Sequence, residues 1–154
     1  MKREPKVGVI AVALSVVGLA VACSRAPADP VRSLLDGLVA AAEARDADRF
    51  GALLSAGFRG PHPMDRAAAV ATLRRYFAAY ESIAVEVYGV EIDREDGAAR
   101  VRCVVELSGE ARKLAGLEGL LPPSAAYRFE LEVAEEGGVW TVRDAAWQEA
   151  APAQ

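Results

Sequence analysis

Histidine and cysteine are scarce in this chain. Its 154 residues hold one histidine, His62, and two cysteines, Cys23 and Cys103. That excludes a zinc site built from several Cys and His ligands, and a small fold stapled by several disulfides. Basic residues are too few for a nucleic-acid partner: 18 Lys and Arg face 22 Asp and Glu, a net charge of −4, where nucleic acid asks for a positive face. No internal repeat is present, and no glycine-rich phosphate loop sits in a βαβ unit. What is present is 53% hydrophobic and 26% charged residues, a balance that favours an ordered chain over a disordered one. The length suits one domain.

Residues 1–22 stand apart from that domain. Lys2, Arg3 and Lys6 make a basic start, and Val7 to Ala22 follow without a charge. The run is short of the about 20 apolar residues that span a bilayer, and it ends on small residues, the pattern of a secretory signal peptide. Ala20-Val21-Ala22-Cys23 resembles the lipobox of bacterial lipoproteins. The resemblance implies that Cys23 is lipidated and becomes the mature N-terminus. With Ser24 after the cysteine, it also implies the periplasmic face of the outer membrane. Residues 23–29 are then a lipidated tether, 30–150 the domain and 151–154 a tail. One acyl chain holds only marginally, so stable anchoring takes two or more. Loss of 1–22 removes three bases and one acid and leaves a net charge of −6. An acidic body does not favour anionic lipid, so the lipid alone holds the protein at the membrane. Cys103, in apolar alternation with Val101 and Val105, reads as a small buried hydrophobe.

From Asp29 the period is helical. Asp29 can cap, Pro30 suits the first turn, and Val31, Leu34, Leu35, Leu38, Val39 and Ala42 form one stripe. A second short helix follows the cap Asp46 and buries Phe50, Leu53 and Leu54. Gly57 and Gly60-Pro61-His62-Pro63 break the chain. A third helix runs from about Met64 to Tyr80, with Val70, Leu73, Phe77 and Tyr80 on one face. The period then changes to two. Ile83 to Asp93 is strand-like, and its phase slips near Gly89, which predicts a bulge. Val101, Cys103, Val105 and Leu107 alternate with Arg100, Arg102 and Glu106. Tyr127, Phe129, Leu131 and Val133 alternate with Arg128, Glu130 and Glu132. Val139 to Ala150 is the last strand, carrying Trp140, Val142 and Trp147. Between the middle strands, Leu114, Leu117, Leu120 and Leu121 recur at helical spacing and predict a short helix. The result is an α+β fold: three N-terminal helices packed on a curved, mainly antiparallel four-stranded sheet with one buried and one wet face.

Three stretches carry a family resemblance: Val31-Arg32-Ser33-Leu34-Leu35, Ala44-Arg45-Asp46-Ala47-Asp48-Arg49-Phe50, and the closing Gly138-Val139-Trp140-Thr141-Val142. Together they resemble the nuclear transport factor 2-like family, cone-shaped α+β domains that include ketosteroid isomerase and polyketide cyclases. The resemblance implies a pocket inside the cone. Ketosteroid isomerase needs a carboxylate base and a donor pair there. Here the inward positions are apolar: Val101, Cys103, Val105, Tyr127, Phe129, Leu131 and Trp140, with Tyr76, Tyr80 and Tyr88 as further ligand contacts. His62, with Asp65 three residues on, is the candidate for proton transfer; the alternative is a plain turn followed by a helix cap. No metal and no cofactor is expected.

Three readings follow. The first is a lipid-anchored, non-catalytic binding or interaction domain with an apolar pocket for a hydrophobic small molecule. The second is an isomerase, dehydratase or cyclase acting on a hydrophobic substrate. The third is a structural envelope homodimer joined through the charged sheet face.

Overall fold

The computed structural model of the chain describes residues 27–112 and 124–150. Helix α1 (Pro30–Glu43) starts where Asp29 accepts the Val31 N–H at 3.1 Å, and its buried stripe is Val31, Leu34, Leu38, Ala41 and Ala42. Asp46 caps the short α2 (Ala47–Ala52) by accepting the Arg49 N–H at 2.8 Å. Helix α3 (Arg66–Ala79) is capped by Asp65, which accepts the Ala68 N–H at 2.8 Å. Each cap satisfies an N–H that the helix itself leaves unpaired.

The sheet has six strands, not the expected four. In chain order they are β1 (Leu54–Gly60), β2 (Met64–Asp65), β3 (Tyr80–Glu95), β4 (Ala98–Ala111), β5 (Ser124–Glu136) and β6 (Val139–Glu149). Their spatial order is β2-β1-β6-β5-β4-β3, antiparallel throughout except that β1 runs parallel to β6. Strand β1 was hidden in the sequence because its pairing slips between Leu54 and Arg59, so Leu54, Ser55 and Phe58 are buried without alternating. Leu54 is therefore strand, not helix. Tyr80 likewise opens β3 instead of closing α3. The helical reading of Leu114 to Leu121 lies outside the described residues.

The β4–β5 ladder runs without a slip from Ala98 opposite Ala134 to Ser108 opposite Ser124. The strands on either side of it are bulged. On β3 the register shifts between Tyr88 and Glu91, at the expected Gly89, whose φ of +63° suits glycine. Gly89 and Val90 together oppose Cys103, so Val87, Val90 and Ile92 all face the helices. On β6 the shift leaves Arg143 as the extra residue between Val142, opposite Val133, and Asp144, opposite Glu132. Bulges bend a strand and increase its twist, and here they flank the regular ladder and curl the sheet around the helices.

The main core lies at the end of the sheet where the two hairpins turn. There α1 lays Val31, Leu34 and Leu38 on Ala99, Val101, Leu131, Val133 and Val142. Val31 and Val101 are 0% exposed. A second cluster, Ala42, Ala47, Phe77, Tyr80 and Ile83, closes α3 against the start of β3.

Gly109 occupies the next inward position of β4 after Leu107, opposite Ile83. A Cβ there would lie 2.4 Å from the Ser82 carbonyl oxygen and 3.1 Å from the Tyr80 ring. The Ser82 carbonyl, with the Tyr80 ring beside it, thus takes the space a side chain would need. Gly109→Ala is expected to lose about 1–3 kcal/mol in urea unfolding by overpacking. Gly57→Ala, whose Cβ would meet nothing within 4 Å, is the control and is expected to keep or slightly raise the midpoint.

Candidate functional site

The structure divides the expected pocket residues by position along the cone. Val101 (0% exposed) and Leu131 are packed core, and the half-buried Trp140 lies against the same cluster. They form the floor of the cone. Cys103 is buried, a free thiol, and burial pushes its pKa up, which suits a packed hydrophobe and not a nucleophile.

Toward the other end, where β3 and β5 begin and β4 and β6 finish, the same inward parity continues but the cover thins. Val105, Leu107, Tyr127 and Phe129 are half-buried. Tyr127 and Phe129 meet edge to face with ring centroids 6.3 Å apart, and Phe129 lies 5.6 Å from Trp147. Trp147, 37% exposed, belongs to this wall, although the sequence reading left it out of the pocket. The bulge at Arg143 turns it inward by placing it opposite Phe129. The signal was in the chain: Trp140 and Val142 share one parity, Ala145 and Trp147 the other.

The polar groups of this mouth include phenols and, exposed at its rim opposite Tyr127, Glu149. The Tyr76 and Tyr80 rings stack tilted, 4.9 Å apart. Burial first, then the neighbouring Tyr80 and Tyr127 phenols, push the Tyr76 pKa well above its ordinary 10.0. Tyr80 is 2% exposed, and its carbonyl accepts the Arg45 Nη1 at 3.0 Å. That fixes the junction of α3 and β3 from below.

Tyr88 does not join them. It pairs with Val104 on the opposite face of the sheet, and its hydroxyl lies 3.3 Å from Glu106 Oε2. Arg100, Arg102, Glu130 and Glu132 are on that face too. Arg100 reaches Glu132 at 3.1 Å, and Arg102 reaches Glu91 at 3.2 Å and Asp93 at 2.9 Å.

His62 and Asp65 are not brought together either. His62 is exposed in the turn between β1 and β2 with a φ of +58°, and its carbonyl accepts the Met64 N–H. Asp65 spends its carboxylate on the α3 cap. Among the described residues no hydrogen bond or ion pair joins the two, and neither lies on the concave wall. Also among the described residues, no group of three or more His, Cys, Asp or Glu side chains converges as a metal site would. An open groove of about 590 Å³ lies outside the cone between α2, β1 and α3, crossed by the exposed Arg74–Asp48 ion pair at 2.6 Å.

No protein-family model matches the chain, and no curated protein matches its sequence. Solved structures do match its fold. A protein from Novosphingobium aromaticivorans, provisionally assigned as a scytalone dehydratase, is 15% identical with a TM-score of 0.68, covering 79% of this chain and 83% of the other. An NTF2-like protein from Cytophaga hutchinsonii is 14% identical with a TM-score of 0.64, covering 78% and 95%. The hexachlorocyclohexane dehydrochlorinase LinA-type3 from Novosphingobium barchaimii is 10% identical with a TM-score of 0.64, covering 79% and 85%. At such identities the likeness establishes the fold. The domain has the α+β cone of the nuclear transport factor 2-like proteins.

The raised Tyr76 pKa sets a sign for stability. A phenol that ionises less readily when folded contributes stability fully below pH 10, and that contribution is lost as pH climbs toward the raised value. Tyr76→Phe is expected to change stability by no more than about 1.5 kcal/mol at neutral pH. It should also flatten the fall in stability between about pH 9 and pH 12. Urea unfolding of both proteins across that range checks the pair of outcomes.

Proposed function

We propose that this chain is a lipid-anchored cell-envelope protein whose cone holds an apolar small molecule, without acid–base chemistry of its own. The observation that carries the binding reading is the unequal cover of one continuous wall. Its floor is sealed by α1, while Val105, Leu107, Tyr127, Phe129 and Trp147 stay half-covered above it. Ligand sites are typically concave, mostly apolar and furnished with a few placed polar groups. The phenols of the half-buried Tyr76 and Tyr127 fill that last role. The lipid anchor is supported by Ala20-Val21-Ala22-Cys23 and by the basic, then apolar, segment before it.

A second reading, an enzyme of the isomerase, dehydratase or cyclase kind, draws on the fold neighbours, whose names include a dehydratase and a dehydrochlorinase. Such eliminations need a base. The carboxylate that register puts on the concave face of the mouth, Glu149 opposite Tyr127, is exposed at the end of β6 and not held as a buried base would be, and no imidazole lies on the described wall. A phenol pushed above its ordinary pKa is further from the neutral range in which proton transfer is efficient. Tyr76 is therefore a hydrogen-bond donor to a ligand and a poor proton shuttle.

Binding of Nile red, a neutral apolar dye, to the full chain tests the pocket. Val105→Glu puts a charge on the inner wall and is expected to weaken binding about tenfold or more, because the buried carboxylate is unpaired. Val104→Glu, one residue along and on the outer face, is expected to leave the affinity unchanged. Equal affinity in wild type and both variants would sink the pocket. A base-dependent turnover of an enolisable ketone by the wild type would favour the second reading.

A further inference from the structure

The tether and the mouth sit at opposite ends of the domain. Asp29 pairs with Arg94, at the hairpin end of β3, and the next turn of α1 sinks Val31 into the core at that end. The mouth lies where Tyr80 pairs with Ala111 and Tyr127 with Glu149. Between the two ends β4 runs about 40 Å. From Cys23 to Asp29 the chain can reach about 20 Å at full extension. A domain turned with its mouth to the bilayer would need a tether as long as the sheet itself, and this one is half that.

Lying flat on the charged sheet face is also disfavoured. Glu86, Glu91, Asp93, Glu106, Glu130 and Glu132 outnumber Arg100, Arg102 and Arg128 on it. An acidic face is repelled by an anionic leaflet. We propose that anchorage at Cys23 turns the mouth of the cone away from the bilayer, so that it takes its apolar ligand from the aqueous side and not from the membrane that holds it. This rests on the lipid-anchor reading.

The two tryptophans make a built-in ruler. Trp140 is beside the β5–β6 hairpin, and Trp147 is about 20 Å farther along the strand. The full chain, produced with its N-terminal modification, would be placed in phosphatidylcholine–phosphatidylglycerol vesicles bearing a dansyl acceptor on a lipid headgroup. Trp147→Phe leaves the near donor and Trp140→Phe the far one. Energy transfer from the near donor is expected to exceed that from the far donor about twofold or more, given their spacing along the strand. Should Trp140→Phe fail to fold, wild type against Trp147→Phe gives the same answer, since removing the far donor raises the mean transfer. Equal or reversed transfer in protein that floats with the vesicles would overturn the orientation and leave the anchor standing. Wild type that floats no better than Cys23→Ala would overturn the anchor and the orientation with it.

Discussion

The unbroken β4–β5 ladder is the constraint on which the rest of the molecule depends. Side chains alternate along a strand, so its register decides which residues see the helices and which see water. Because that ladder has no slip, Val101, Cys103, Val105, Leu131, Phe129 and Tyr127 form one continuous wall. The two flanking strands cannot follow a curved template with regular pairing. Each absorbs the strain with one extra residue, and each bulge also resets parity. Were pairing regular through Gly89 and Val90, Ile92 would point outward; were it regular through Arg143, Trp147 would. The bulges therefore curve the sheet and at the same time keep both flanks apolar on the inside.

Legibility in the sequence followed from that regularity. β4 and β5 were readable residue by residue because strict alternation survives in them. The β3 bulge was readable because a phase slip coincides with a glycine. β1 was not: its partner is β6, some eighty residues later, its pairing is parallel, and its slip destroys the alternation that marks a strand. Ser55 is buried there because its hydroxyl bonds the Glu136 carboxylate at 3.0 Å, a contact no local pattern announces. Tyr88 was misplaced for a different reason. It was grouped with the other tyrosines by type, while its pairing with Val104 puts it among the charges. The depth of the wall could not be read at all, since alternation separates inside from outside but does not say which inside positions α1 covers.

Charge and packing do different work on the two faces. Arg100 and Arg102 are each about half exposed and reach acids on the neighbouring strands or farther along the face. The Glu132 hydrogen bond and the nearby Glu130 raise the Arg100 pKa further, so this charge is permanent. Exposed cross-strand pairs contribute about 0.2–1 kcal/mol each, so the outer face tunes register and solubility more than stability. A fully buried aliphatic side chain is worth roughly 1.5–3 kcal/mol. Val31, Val101, Val133 and Val142, the largest fully buried side chains, therefore outweigh the whole ladder of charges.

The hairpin end, where that packing is concentrated, is also where the chain enters α1. Asp29 lies at the point where the chain enters α1, and its carboxylate does three things: it caps Val31, pairs with Arg94 and faces Arg32 at 3.9 Å. The Arg94 hydrogen bond is the chief cause that holds its pKa below the ordinary 3.8. A group with a depressed folded pKa stabilises above the ordinary value and loses that contribution as pH falls through the depressed one, so the clasp is intact at neutral pH. Under the proposed anchorage, a pull from the N-terminal side would meet this clasp and then the sealed floor of the cone, while the half-covered aromatic wall lies at the far end of the sheet.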